Sequence, residues 1–497
     1  MLDDISMITI RPYPVWQRQH LKWFIGLVVV KVFWFTFFIA FRADDWHPLF
    51  QVNGIAIRGG DSFTYYGAME SFIQDGQYGG ACRMPGLLPV YLPLRWILSE
   101  NAAMVAMVFF QLVMDIITTW LLAVAAARIF GGTRTFYITL TLAALSTFVA
   151  IRSNYLLSDS LCVSAFILSV YFLTSHLTVP SHRSLWLSGL FFVWSIFLRP
   201  IMIVAIPVVL LIILLHQRNV RRAMVSGCVW MLPVILVLGL WFARNKMTYG
   251  RNILLVAPLK ECMFRSDEVS SAVRALIIAM GEDFQPWTEG GAAEWFFNPK
   301  ANAQAPSPVS NAAFCSEFSS DSLVQLRQDF RAYLLNDSLP ERDAVGEDVM
   351  QRCMTYKERY RTHHPFRFYI WNRILFMKML LFPSRVDDLP LPARNAMNAL
   401  QFGSKAWSLL LLWLVSAISL LSVLIFMLCK RWDLLFWSGL AFAFVVVLSI
   451  LGYIEQRYLA TAYPFMICCI AWAIGLVMEY RSTKLSSHST TSLSNEN

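Results

Sequence analysis

Ten apolar runs constrain this chain more than anything else in its sequence. They lie at approximately 24–41, 102–127, 135–151, 160–178, 185–198, 201–216, 223–242, 406–428, 433–452 and 458–479. A helix needs roughly 20 largely apolar residues to cross the hydrocarbon core of a bilayer. The expected fold class is therefore an all-α polytopic membrane protein with about ten transmembrane helices. Composition agrees: of 497 residues, 57% are hydrophobic and 15% charged, against roughly 45–50% and 25% in soluble domains. The fifth and sixth runs are short and separated only by Arg199-Pro200. Residues 86–99 are apolar too, but they hold Pro89, Pro93 and Arg95 and are too short to cross. They read as a juxtamembrane, interfacial helix.

Charge gives the orientation. The net +9 is spread over short loops rather than gathered in one basic tract, which points to membrane topology and away from nucleic acid. With the N-terminus inside, the inner side receives Arg11, Arg18, Lys22, Arg128, Arg134 and Arg183. It also receives Arg218, Arg221, Arg222, Lys430, Arg431, Arg481 and Lys484. Every inner loop is then basic, as the positive-inside rule requires. Both termini fall inside, and the two large polar segments, 42–101 and 243–405, fall outside. An eleventh span at 86–99 would break this pattern. The polar N-terminal stretch with Asp3 and Asp4 reads as part of a retained anchor rather than a cleaved signal.

The expected organisation is an N-terminal transmembrane module (1–242) with a site-bearing first outer loop (42–101), and a mostly helical extracytoplasmic domain (243–405). C-terminal transmembrane helices (406–480) and a Ser/Thr-rich, disordered cytoplasmic tail (481–497) follow. Within the outer domain, helical stretches at 266–280, 321–335 and 345–362 flank a Gly/Ala/Pro/Ser-rich loop at 288–310. Residues Phe366 to Phe382 alternate large apolar side chains with Arg367, Arg373 and Lys378, the pattern of an interfacial helix. The short inner loops carry no Gly-rich phosphate loop. An activated substrate must therefore arrive through the membrane.

The outer side is not poor in positive charge. Arg58, Arg83, Arg95, Arg152, Arg199, Arg244, Lys246 and Arg457 fall at or near outer helix ends. Each taken alone can snorkel to lipid headgroups. So many at one face are better explained by a shared anionic ligand, for which lipid-linked phosphate is the natural candidate. Lys31 and Asp115 lie deep within spans, where an ionisable residue is functional by default or paired for packing.

The first outer loop carries the densest signal. Gly59-Gly60-Asp61-Ser62 places a carboxylate at a helix start, with Tyr65 and Ala68 following on the same face. Asp61 suits a helix N-cap and equally a catalytic base. Gly76-Gln77-Tyr78-Gly79-Gly80-Ala81-Cys82-Arg83-Met84-Pro85-Gly86 is a flexible turn that delivers an arginine just before the interfacial helix. Asp159, beside Ser158 and ahead of the fourth span, is open to the same two readings.

These residues resemble the GT-C glycosyltransferases, in particular the protein mannosyltransferase-like branch that includes the lipid A aminoarabinose transferase. The acid, the tyrosine four residues on, the Gly-rich turn and the basic-x-Pro step carry the likeness. Further motifs follow in order: Tyr155 to Asp159, Phe197-Leu198-Arg199-Pro200, Trp241 to Gly250 with Arg244-Asn245, His364-Pro365, and Gln456-Arg457-Tyr458 with Pro464. Two positions depart from the pattern. Asp61 stands alone where many relatives have two adjacent acids, and Arg83 stands where the lipid A branch has lysine.

The resemblance implies transfer of a sugar from a polyprenyl phosphate to a lipid, glycan or protein acceptor on the outer side of the inner (plasma) membrane. The chemistry needs a carboxylate to take the acceptor proton and cations to stabilise the phosphate leaving group. Asp61 is the expected base and Asp159 a second acid. Arg83 is the first choice for the donor phosphate, because guanidinium offers fork-like hydrogen bonds, with Arg244 and Arg457 behind it. Tyr65, Arg58 and Arg199 complete the expected pocket. No cofactor is assigned, although a divalent metal is compatible with the chemistry. Asp44, Asp45, His47, His363 and His364 offer ligand types without a diagnostic spacing. Cys82, Cys262, Cys315 and Cys353 fall outside, where three pairings are open. Two rivals stand beside the transferase: a transporter or flippase for a lipid-linked glycan, and a non-catalytic scaffold on a degenerate transferase fold. No internal repeat, the usual mark of a transporter, is evident.

Overall fold

The computed structural model describes residues 10, 12–42, 51–59, 61–79, 83–217, 219–257, 268–283, 291–298, 307–314, 318–335, 339–384, 389–392 and 396–493. The molecule is an all-α polytopic membrane protein. Its first unit comprises residues 1–256, 381–445 and 456–497, and its second comprises 257–380 with 446–455.

In the first unit, helix α1 (His20–Ala40) precedes a small hairpin of β1 (Gln51–Val52) and β2 (Ala56–Ile57), joined through Asn53 and Gly54 at positive φ. Helices α2 (Ser62–Asp75) and α3 (Leu88–Ile97) then complete the first loop. There follow α4 (Glu100–Phe130), α5 (Thr133–Leu145), α6 (Thr147–Ala150), α7 (Asp159–Thr178), α8 (His182–Leu198), α9 (Ile206–His216) and α10 (Val220–Tyr249). The second unit holds α11 (Glu268–Met280), α12 (Ala292–Phe297), α13 (Ser320–Leu335), α14 (Leu339–His363) and α15 (Asn372–Leu381), with a π-helical turn at Arg367–Trp371. The chain closes with α16 (Ala399–Leu428), α17 (Trp432–Leu451), α18 (Gln456–Leu459) and α19 (Tyr463–Leu493).

Every apolar run has become helix. Among the described residues, seven helices are long and apolar enough to cross a membrane: α1, α4, α7, α10, α16, α17 and the first part of α19. Helix α5 and the Thr147–Asn154 segment are apolar enough together but meet at 56°, the geometry of a broken span or a re-entrant loop. The pieces at 182–198 and 200–216 are shorter, as their Arg199-Pro200 break requires, because the residue before a proline is pushed out of helical geometry. Residues 88–97 form a short helix, with Arg95 in its last turn.

Helix α7 is the central post of the first unit, with 78% of its apolar window buried. It packs against α4 and α8. At Gly189 of α8 the backbone of α10 approaches so closely that a Cβ would lie 2.2 Å from the Trp230 carbonyl oxygen. Lys31 of α1 and Asp115 of α4 form a buried ion pair at 2.8 Å. In the second unit, α11, α13 and α14 enclose a core that includes Val273, Leu276, Phe296, Leu326, Phe330 and Tyr360.

Helix α19 runs to Leu493. Cys353 is a buried free thiol, with its pKa pushed up to about 12 by burial, whereas Cys82, Cys262 and Cys315 lie outside the described residues. Residues 288–290 and 299–306 of the 288–310 loop do as well, while its Ala292–Phe297 stretch is helical.

Candidate active site

The site is assembled by stitching the first loop onto the segment ahead of α7. Ile57 bridges Tyr155 in parallel, and the Leu156 amide donates to the Ile57 carbonyl at 2.8 Å. Ser62 Oγ donates to the Leu156 carbonyl at 2.8 Å. A second clamp sits at Gly86, whose carbonyl accepts from Trp194 Nε1 at 2.9 Å. A Cβ there would lie 2.5 Å from backbone atoms of Phe197 and Leu198. Only glycine lets the turn carrying Arg83 lie against the end of α8, next to Arg199.

Asp61 occupies the N-cap position of α2, yet its side chain makes no capping hydrogen bond. Its oxygens are taken by two arginines instead. Arg83 Nη2 lies 2.9 Å from Oδ1, and Arg457 Nη1 lies 2.7 Å from Oδ2. Burial alone would raise the Asp61 pKa, but Arg457, Arg83 and Arg199 outweigh it and hold the carboxyl below its ordinary range.

The arginines have supports of their own. Arg83 Nε donates to Thr64 Oγ1 at 2.9 Å, and its guanidinium lies 4.6 Å from the Tyr65 ring centroid. Tyr65 is buried and its hydroxyl accepts from Ser158 Oγ at 2.9 Å. Asp159 is the first residue of α7, one place past the N-cap Ser158. Both its oxygens accept from Arg199 Nη2 at 2.5 Å, and both partners are buried. The Arg199 and Arg457 guanidinium groups lie 5.2 and 5.4 Å from the Tyr458 ring centroid. Among the ion pairs of the described residues, this cluster sets Arg83, Arg199 and Arg457 against Asp61 and Asp159.

Solved structures align with most of this chain at low sequence identity and TM-scores below 0.5. One is the archaeal oligosaccharyltransferase AglB from Archaeoglobus fulgidus, in complex with an inhibitory peptide and a dolichol-phosphate. It aligns with 94% of this chain and 52% of its own, at 13% identity and a TM-score of 0.47. Another is ArnT from Cupriavidus metallidurans bound to undecaprenyl phosphate, with 91% of this chain and 78% of that one covered, 13% identity and a TM-score of 0.36. The chain thus spans about half the length of the oligosaccharyltransferase. No protein-family model and no curated protein sequence matches the chain.

Of the residues singled out from the sequence, Asp61, Arg83, Arg457 and Tyr65 meet directly, and Asp159 and Arg199 join them across Tyr458. Arg244 stands apart. It donates to the Tyr78 carbonyl at 2.6 Å and to Asn245 and Tyr249, holding the Gly-rich turn against the end of α10. Arg58 lies against Met104 Sδ at 3.3 Å and the Phe63 ring. Arg95 is matched by Glu70 at 3.2 Å, with Tyr91 donating to the same oxygen at 2.6 Å. Several outer arginines are thus balanced by the protein's own carboxylates, which charge counting by loops did not reveal. Tyr458, Ser158 and Thr64 were not singled out as site residues. Their roles depend on partners distant in sequence, and only the position of Tyr458 beside Arg457 gave a hint.

Residues 44–47, offered as metal ligands, lie outside the described residues. No group of three His, Cys, Asp or Glu side chains that could hold a metal is present among the described residues. Asp61 fits a divalent cation poorly as arranged, since both its oxygens already face guanidinium groups.

Proposed function

We propose that the chain is a membrane glycosyltransferase that moves a sugar from a polyprenyl-phosphate donor to a hydroxyl of a lipid, glycan or protein acceptor. The observation that carries this reading is Asp61 held between Arg83 and Arg457 instead of capping its helix. It supplies a proton acceptor and two phosphate-binding forks in one place. The acceptor oxygen attacks the anomeric carbon as the bond from that carbon to the phosphate oxygen breaks. The leaving phosphate keeps the electron pair and gains a negative charge, which Arg83 and Arg457 stabilise. The acceptor proton passes to Asp61. Arg199 and Asp159 act as positioning residues through Tyr458. Arg244, through Tyr78, fixes the turn that carries Arg83.

The basic inner loops support placing this site on the extracytoplasmic face of the inner (plasma) membrane, with both termini inside. The test is to incubate purified protein with a panel of polyprenyl-phosphate sugars and acceptor lipids, and to follow donor and product by mass spectrometry. Sugar loss with release of polyprenyl phosphate is the expected result. A donor carried across proteoliposomes with its sugar intact would instead support the transporter.

A further inference from the structure

We infer that Asp61 is the resident anion of the donor site, displaced from Arg83 and Arg457 by the incoming phosphate, and that only the displaced carboxylate accepts the proton. This rests on the donor-phosphate reading above and adds to it an order of events.

The removable member of the trio is the carboxylate, not the arginines. Arg83 has a bond to Thr64 and a stacking contact on Tyr65, neither of which involves Asp61. Tyr65 is fixed in turn by Ser158. Arg457 lies against Tyr458, a ring that Arg199 also approaches. Asp61 has no bond to its own helix end to hold its side chain in place. The two guanidinium groups are therefore pre-positioned, and one carboxylate bridges them with one oxygen each.

A phosphate presents more oxygens than a carboxylate and suits the arginine fork better. An anion that engages both arginines at once can take over both pairs. An anion with a single contact leaves one pair intact. Arg199 stays committed to Asp159 throughout by its two bonds. While it bridges the arginines, Asp61 is a poor proton acceptor. Once released it regains ordinary basicity, so base function switches on only when donor is bound.

The experiment measures binding of undecaprenyl phosphate to the purified full chain, comparing wild type with Asp61→Asn. Asn fills the same space without competing for the arginines. The pairs are partly exposed, and such pairs are worth up to about 1 kcal/mol each, so Asp61→Asn is expected to bind roughly tenfold more tightly. The gain should vanish when Arg83→Ala is added. Equal or weaker binding by folded Asp61→Asn overturns the inference alone, as does a gain that survives Arg83→Ala. No binding by either protein overturns the donor-phosphate reading and the inference with it. Inorganic phosphate, titrated in parallel, separates the headgroup from the lipid. A gain confined to inorganic phosphate likewise overturns the inference for a lipid-linked donor.

Discussion

At Asp61, the loss of a proton acceptor can be separated from the loss of a helix cap. The side chain caps nothing, so Asp61→Asn and Asp61→Ala should leave α2 about equally stable, without the ~1 kcal/mol difference expected at a working cap. Turnover should fall roughly 10²–10⁴-fold in both, the usual contribution of general acid–base catalysis. Transfer assays beside thermal melts check the pair, and near-normal turnover in Asp61→Asn would remove it as base. The same residue predicts an acid response. Its folded pKa lies below the ordinary 3.8, so its pairing contributes stability that is complete above 3.8 and is lost as pH falls through the lower folded value. The melting temperature of Asp61→Asn should therefore depend less on pH in that acid window than wild type. At Arg83, alanine should weaken donor binding severely and lysine only partly, because charge survives but the fork does not. Titration with undecaprenyl phosphate distinguishes them.

Elements meet the site at two kinds of contact. One is the close approach of the Pro85-Gly86 turn to the end of α8. Gly86→Ala would drive a Cβ into the Phe197 and Leu198 backbone and should abolish transfer while membrane insertion stays intact, as judged by extraction and melting of the purified variant. Normal turnover would mean that the Arg83 turn need not seat there. The other is the Lys31–Asp115 pair between α1 and α4. Removing one partner of a buried pair leaves an uncompensated charge and typically costs about 3–5 kcal/mol, whereas replacing both with apolar residues is often neutral. Lys31→Met should thus lower the melting point markedly, and Lys31→Met with Asp115→Leu should restore it with transfer preserved. A stable double variant without transfer would give the pair a functional part.

For the whole molecule, the basic inner loops predict which surfaces meet which compartment. A cysteine introduced at position 300 should react with an impermeant reagent added from outside, and one at position 183 only after the inner side is opened. The reverse pattern would invert the topology and place Asp61 on the cytoplasmic face. The fold class depends on apolar length alone, so it survives either outcome.

What the sequence determined by itself follows from local rules. Apolar length set the helices, including the short one at 86–99 that holds Pro89 and Pro93, and Arg199-Pro200 set the break between the fifth and sixth runs. The importance of Asp61 and Arg83 was legible for a similar reason, since a carboxylate at a helix start and an arginine after a Gly-rich turn are contiguous patterns. Tertiary structure alone decided what those residues do. Whether Asp61 caps α2 or binds cations turned on Arg457, 396 residues away. Whether Asp159 caps α7 or holds Arg199 turned on the end of α8, 40 residues on. Arg83, Arg95, Arg199 and Arg457 look unmatched in a loop count and meet carboxylates once Glu70, Asp61 and Asp159 are brought to them. Helix formation is written in neighbours a turn apart, whereas an ion pair falls off with distance in space, and distance in space exists only after the chain has packed.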